Sequence, residues 1–262
     1  MRRSITITAA IVILTFAATR ASAQINFPKT GYYVAMGDSV AAGEGALPVT
    51  NGYAYELYDH GVFGPKQQMD FADVAVRGGR SWDLRDHQVA EVLCAEPAQR
   101  PTVVTITAGA NDFFRNDTDI VGIAGRVVEA INLLLNNDNG GVSTPVLDPV
   151  TSQPCRALGN VTILVSNYYS IPHPVPAVFN LLDAALRGFD QALRYLLQFT
   201  SVPQGSRVAI VDLYSPSLGR QGLVTIDRRF GFQGIFDFDV HPTNLGHSFI
   251  AQEFERAWKN LP

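Results

Sequence analysis

Apolar positions along the chain fall into two alternating patterns. Five compact runs, Tyr32–Met36, Phe71–Val76, Thr102–Ala108, Asn160–Ser166 and Arg207–Val211, have the length and bulk of buried strands. Between them the apolar residues recur at three- and four-residue steps, as on one face of a helix. Phe179, Leu182, Leu186, Phe189, Leu193 and Leu197 form one such series; Ala124, Val127, Ile131 and Leu134 form another; Ile250, Phe254 and Trp258 form a third. Alternation of this kind predicts an α/β fold, a central parallel sheet of about five strands covered by helices on both faces. Three irregular stretches interrupt it, Tyr58–Asp70, Asn136–Cys155 and Tyr214–Asp239. Loops this long in a compact domain are usually functional or floppy. The last carries Phe230, Phe232, Phe236 and Phe238 and runs into the His241 region, where its aromatics would either wall a substrate site or pin the loop to the core.

Residues 1–23 break the pattern. Arg2 and Arg3, an apolar Ile5–Ala18 and the small Ala21-Ser22-Ala23 read as a secretory signal cleaved after Ala23. The apolar part is short for a membrane span, so the expectation is a secreted or periplasmic protein with no stable membrane insertion. Removing 23 of the 262 residues leaves 239, residues 24–262, the size of a single α/β domain. The chain is 47% hydrophobic and 17% charged, as expected of a globular protein. Loss of Arg2, Arg3 and Arg20 takes the formal charge from −4 to −7, and this acidic balance argues against a nucleic-acid partner. The two cysteines, Cys94 and Cys155, each precede a strand-like run, so both fall at the amino edge of the sheet. In an exported chain this predicts a structural disulfide.

Candidate chemistry collects at the opposite edge. Gly37-Asp38-Ser39 follows the first run and Arg77-Gly78-Gly79-Arg80-Ser81-Trp82-Asp83-Leu84 the second. Gly109-Ala110-Asn111-Asp112 follows the third, and Asp237-Phe238-Asp239-Val240-His241-Pro242 lies near the end, before Gly246-His247. Acyl transfer needs such parts. A serine hydroxyl is a weak nucleophile until a base such as His241 takes its proton. The tetrahedral intermediate needs donors, for which the N–H groups of Ser39 and Gly78 and the side-chain amide of Asn111 are candidates. Asp38 is expected to order the loop around Ser39. His247 is expected to serve helix packing or capping, and His60, His87 and His173 sit in no motif.

These four blocks, in this order, resemble the GDSL-type (SGNH) serine esterase and lipase family over Tyr32 to about Trp258. The resemblance implies a flavodoxin-like three-layer α/β/α sandwich. It also implies a metal-free, cofactor-free esterase with Ser39, Gly78, Asn111 and His241 in the name-giving positions. One position departs from the pattern: the acid normally stands three residues before the histidine, where this chain has Phe238. Asp239 is the preferred acid, with Asp237 or a backbone carbonyl as alternatives. The function expected is hydrolysis of carboxylic esters, lipid or small acyl, through a Ser39 acyl-enzyme, by a monomer. A glycan O-deacetylase of the same fold, or an inactive glycan- or lipid-binding relative, are the alternatives.

Overall fold

The computed structural model describes residues 29–95, 100–138, 144–171, 176–224 and 240–261. The signal-like segment, His173, Asp237, Asp239 and the 230–238 aromatics lie outside the described residues.

Five parallel strands, β1 (Gly31–Gly37), β2 (Met69–Asp73), β3 (Val103–Thr107), β4 (Thr162–Ser166) and β5 (Arg207–Val211), form one sheet in the order β2-β1-β3-β4-β5. The five expected strands are thus present. β2 begins two residues earlier than the apolar run and ends at Asp73, its five residues pairing in register with Gly31 to Ala35 of β1. Strand alternation sends Val34, Met36, Val104, Ile106, Ile163 and Val165 to one face and Tyr33, Ala35, Val103 and Leu164 to the other. The first face is covered by α3 (Val89–Leu93), α5 (Ile120–Asn136) and α6 (Pro176–Leu197), whose Val92, Val127, Ile131 and Leu193 pack on it. The second is covered by α1 (Tyr53–Asp59) and α8 (Asn244–Lys259), through Leu57, Ile250 and Phe254. The result is a three-layer α/β/α sandwich.

The remaining helices are short. α2 (Ser81–Asp83) continues through a π-turn, Leu84–Gln88, into α3. α4 (Ala110–Phe114) follows β3 and α7 (Tyr214–Ser217) follows β5. Neither α1 nor the Ser81–Leu93 run stands out in the apolar pattern. α1 spans only two turns, and the π-turn shifts the helical phase partway through the other.

In this strand order the connections leave β1 and β3 in opposite directions, which opens a crevice at their carboxyl ends. The crevice holds the serine. Gly37 closes β1 with φ of 128°, and a Cβ there would lie 1.9 Å from the Thr107 carbonyl oxygen, so only glycine fits. The Gln88 side chain clamps that turn, accepting from Gly37 N–H and donating to its carbonyl, both at 2.7 Å.

At the other edge Cys94 and Cys155 are bridged, with Cα atoms 5.2 Å apart. The bridge ties the end of α3 to the segment leading into β4. Asn137, just beyond α5, holds the same segment by donating to the carbonyls of Val146 and Cys155.

Candidate active site

Ser39 sits on the turn after β1 and is 5% exposed. His241 Nε2 lies 2.8 Å from Ser39 Oγ, across 202 residues of sequence. Several contacts bring the histidine there. Pro242 bridges to Val224, Thr243 N–H donates to the Leu223 carbonyl, and the Tyr169 hydroxyl donates to the Val240 carbonyl at 2.9 Å. A Cβ at Gly45 would stand 2.2 Å from the Pro242 oxygen and 3.0 Å from the His241 Cβ. A bare backbone at Gly45 therefore lets the histidine segment lie against the serine loop.

The turn after β2 also reaches this crevice. Val76 N–H donates to the Gly37 carbonyl, and Gly78 adopts a left-handed φ of 70°. Asn111, in the first turn of α4, donates from Nδ2 to the Gly79 carbonyl at 2.9 Å. That bond uses one of the two amide N–H groups and fixes the plane of the other. Among the described residues neither Ser39 N–H nor Gly78 N–H has a hydrogen-bond acceptor.

A buried polar cluster locks the second and third blocks together. Ser81 donates to Asp112 twice, from N–H at 2.8 Å and from Oγ at 2.7 Å. Arg126 of α5 donates to Ser81 Oγ, to Asp112 and to Asp117, and its guanidinium stacks over Trp82. The motif residues Ser81, Trp82 and Asp112 thus fix the Gly78 turn relative to Asn111, with the buried charge paired and hydrogen-bonded.

Asp38 does not face His241 as its partner. Its carboxylate accepts from Val40 N–H at 2.9 Å and from the Tyr168 hydroxyl, which itself accepts from Ala110 N–H at 3.1 Å. Burial pushes Asp38 up to about 6, against the pull of those hydrogen bonds. The residue orders the serine loop, as the sequence suggests. His247 is fully buried and packs as expected of a helix residue: Nε2 meets the Glu44 carbonyl at 2.9 Å and Nδ1 accepts from Tyr53 N–H.

Sequence reasoning passed over four contributors: Gly45, Tyr168, Tyr169 and Glu44, whose carboxylate lies 3.6 Å from His241 Nε2. Glu44 and Gly45 carry a signal, their place in the Gly43-Glu44-Gly45 stretch after the serine; Tyr168 and Tyr169 carry none. Asp239 and Asp237 lie outside the described residues, so the acid preferred from sequence has no described geometry. Among the described residues no group of three or more His, Cys, Asp or Glu side chains is placed to hold a metal ion. Among those residues, too, no helix is long and apolar enough to cross a membrane.

Against α4 lies an apolar pocket, partly open to solvent, lined by Gly109, Ala110, Phe113, Tyr168, Leu182 and Phe189 among others. It begins one residue from Asn111, and its Tyr168 is bonded to the residue next to Ser39.

Ser39 and His241 thus meet at the switch point of a parallel α/β/α sandwich, and the class of protein, a hydrolase, is set by the family to which the chain belongs. The model of the GDSL-like lipase/acylhydrolase family matches residues 35–249, and the chain belongs to that family of ester hydrolases. No curated protein matches the chain significantly. Among solved structures it is similar to the lipase Lip_vut3 from a goat rumen metagenome, with a TM-score of 0.55 at 18% identity, covering 87% of this chain and 97% of that one. It is also similar to a carbohydrate esterase of family 3 from Talaromyces cellulolyticus (TM-score 0.54, 15% identity, 88% and 100% covered). A third is the psychrotrophic esterase EstA from a Pseudoalteromonas species, inhibited by monoethylphosphonate (0.53, 16%, 87% and 97%). At these identities the likeness is one of fold.

Proposed function

We propose that the protein is an exported serine esterase that cleaves carboxylic esters through a Ser39 acyl-enzyme. The observation that carries this reading is the 2.8 Å contact between Ser39 Oγ and His241 Nε2, within the reach proton transfer requires. His241 takes the hydroxyl proton as Ser39 attacks the carbonyl carbon. The oxyanion that forms is met by Ser39 N–H, Gly78 N–H and the second N–H of Asn111, donors held in place before the charge develops. The tetrahedral intermediate collapses, and His241 returns the proton to the departing alcohol. A water, deprotonated in turn by His241, then releases the acid and regenerates Ser39. An acceptor on the far nitrogen holds the imidazole in one tautomer. Asp239 is assigned that role, with Asp237 or a backbone carbonyl as alternatives.

The apolar lining of the pocket against α4, which starts at Gly109 and Ala110, supports an acyl chain on the acid side of the ester. The substrate is accordingly a small-molecule or lipid ester met outside the cytoplasm. Hydrolysis of p-nitrophenyl esters from acetyl to dodecanoyl tests this reading. Turnover should rise beyond acetyl to a medium-chain optimum. Activity confined to acetyl esters, with release of acetate from acetylated glycans, would favour a deacetylase instead.

A further inference from the structure

Glu44 lies on the loop after Ser39, with its carboxylate beside the His241 ring. Its backbone is pinned on both sides: N–H donates to the Ser39 carbonyl at 2.8 Å, and its own carbonyl meets His247 Nε2 at 2.9 Å. Gly43 and Gly45, at left-handed φ of 74° and 91°, fix the turn on either side of it. The side chain is 35% exposed, so solvent reaches the carboxylate. Its Oε2 lies 3.6 Å from His241 Nε2, the same nitrogen that meets Ser39 Oγ. In ester hydrolysis that nitrogen must hand its proton to the leaving oxygen across a hydrogen bond of about 3 Å. Whatever is attached to that oxygen therefore departs past a carboxylate. The opposite, oxyanion side carries a cation: a Cβ at Gly78 would lie 3.4 Å from an Arg115 guanidinium nitrogen. The crevice is thus polarised, cationic towards the oxyanion and anionic towards the leaving alcohol.

We propose that Glu44 selects the alcohol half of the substrate, favouring esters whose alcohol carries an ammonium group about two carbons from the ester oxygen. The proposal rests on the esterase reading above and assigns the side of the substrate that the apolar cleft does not touch. An ammonium so placed comes within about 5 Å of the carboxylate. Partial exposure screens the attraction, leaving a preference on the order of tenfold.

The test compares two butyrate esters of equal shape, butyrylcholine and 3,3-dimethylbutyl butyrate, on wild type, Glu44→Gln and Glu44→Lys. The expected wild-type kcat/KM ratio is about ten in favour of the cation at low salt, shrinking as salt is added. Glu44→Gln should bring the ratio close to one while changing the neutral ester only a few-fold, and Glu44→Lys should invert it. No wild-type preference would overturn the proposal. So would an equal loss on both esters in Glu44→Gln, which would make Glu44 a positioning residue for His241. Turnover of neither ester, with no fluorophosphonate labelling of wild type, would overturn the esterase reading itself and this proposal with it.

Discussion

His247 gives the fold a defined weakness to acid. Its ring is fully buried; Nε2 points at the Glu44 carbonyl, and Nδ1 accepts from Tyr53 N–H. Neutral imidazole with its proton on Nε2 satisfies both contacts. A second proton on Nδ1 would face another donor, in a site that water does not reach. Burial, opposed by the Glu44 carbonyl and reinforced by His241, pushes His247 down to about 4 from 6.5. Between pH 6.5 and 4 the unfolded chain therefore holds more protons than the folded one, and stability falls as pH falls through that window. A gap of about 2.5 units at about 1.4 kcal/mol each makes the full loss about 3.5 kcal/mol, of which about 3 kcal/mol is reached by pH 4. Asp38 and Asp73 act in the opposite sense. Burial raises both to about 6, so between pH 6 and 3.8 they bind protons on folding and stability rises as pH falls. Comparing wild type with His247→Asn at each pH cancels those contributions. Urea unfolding followed by Trp82 and Trp258 fluorescence should find wild type more stable at pH 7.5. The difference should shrink by about 3 kcal/mol on going to pH 4. Parallel stability curves would refute the buried-neutral assignment of His247.

Three further outcomes are expected, the first two from the geometry and the third from the sequence. Asn111→Ala should lower kcat by about 100- to 1,000-fold with little change in KM; near-normal turnover would make its bond to the Gly79 carbonyl a purely structural one. Thiol titration of the unfolded, unreduced protein should find no free thiol. Replacing both cysteines by serine should cost about 4 kcal/mol for a loop closed across 61 residues, with turnover of the folded variant intact because the bridge lies at the far edge of the sheet. For the acid, Asp239→Asn should cut turnover by several orders of magnitude while Asp237→Asn stays mild. The reverse order would move the role to Asp237, and two mild effects with a severe His241→Ala would move it to a backbone carbonyl.

The sheet was legible because buried parallel strands are written as compact apolar runs, and all five runs became strands. Long helices such as α5 and α6 were legible for the same reason: several turns of one apolar face leave a clear period. The two-turn α1 and the π-interrupted Ser81–Leu93 run leave none. Ser39, Gly78 and Asn111 could be read because each lies within five residues of a strand's end, so parallel strands bring them to one edge. His241 could be read from its own block. What joins it to the serine could not, since Gly45 against Pro242, Tyr169 with Val240 and His247 with Glu44 are contacts between segments far apart in sequence. The Asp38–Tyr168 bond is of the same kind, spanning 130 residues. Such pairings depend on how loops fold over the sheet edge, and no local pattern encodes them.

The central claim is that Ser39, activated by His241, forms a covalent acyl-enzyme. Intact-mass measurement after reaction with a fluorophosphonate tests it most directly. Wild type should gain one adduct, mapped to Ser39 by peptide fragmentation. Ser39→Ala should gain none while keeping its fold, and His241→Ala should react far more slowly. A fully labelled Ser39→Ala protein would contradict the assignment of the nucleophile.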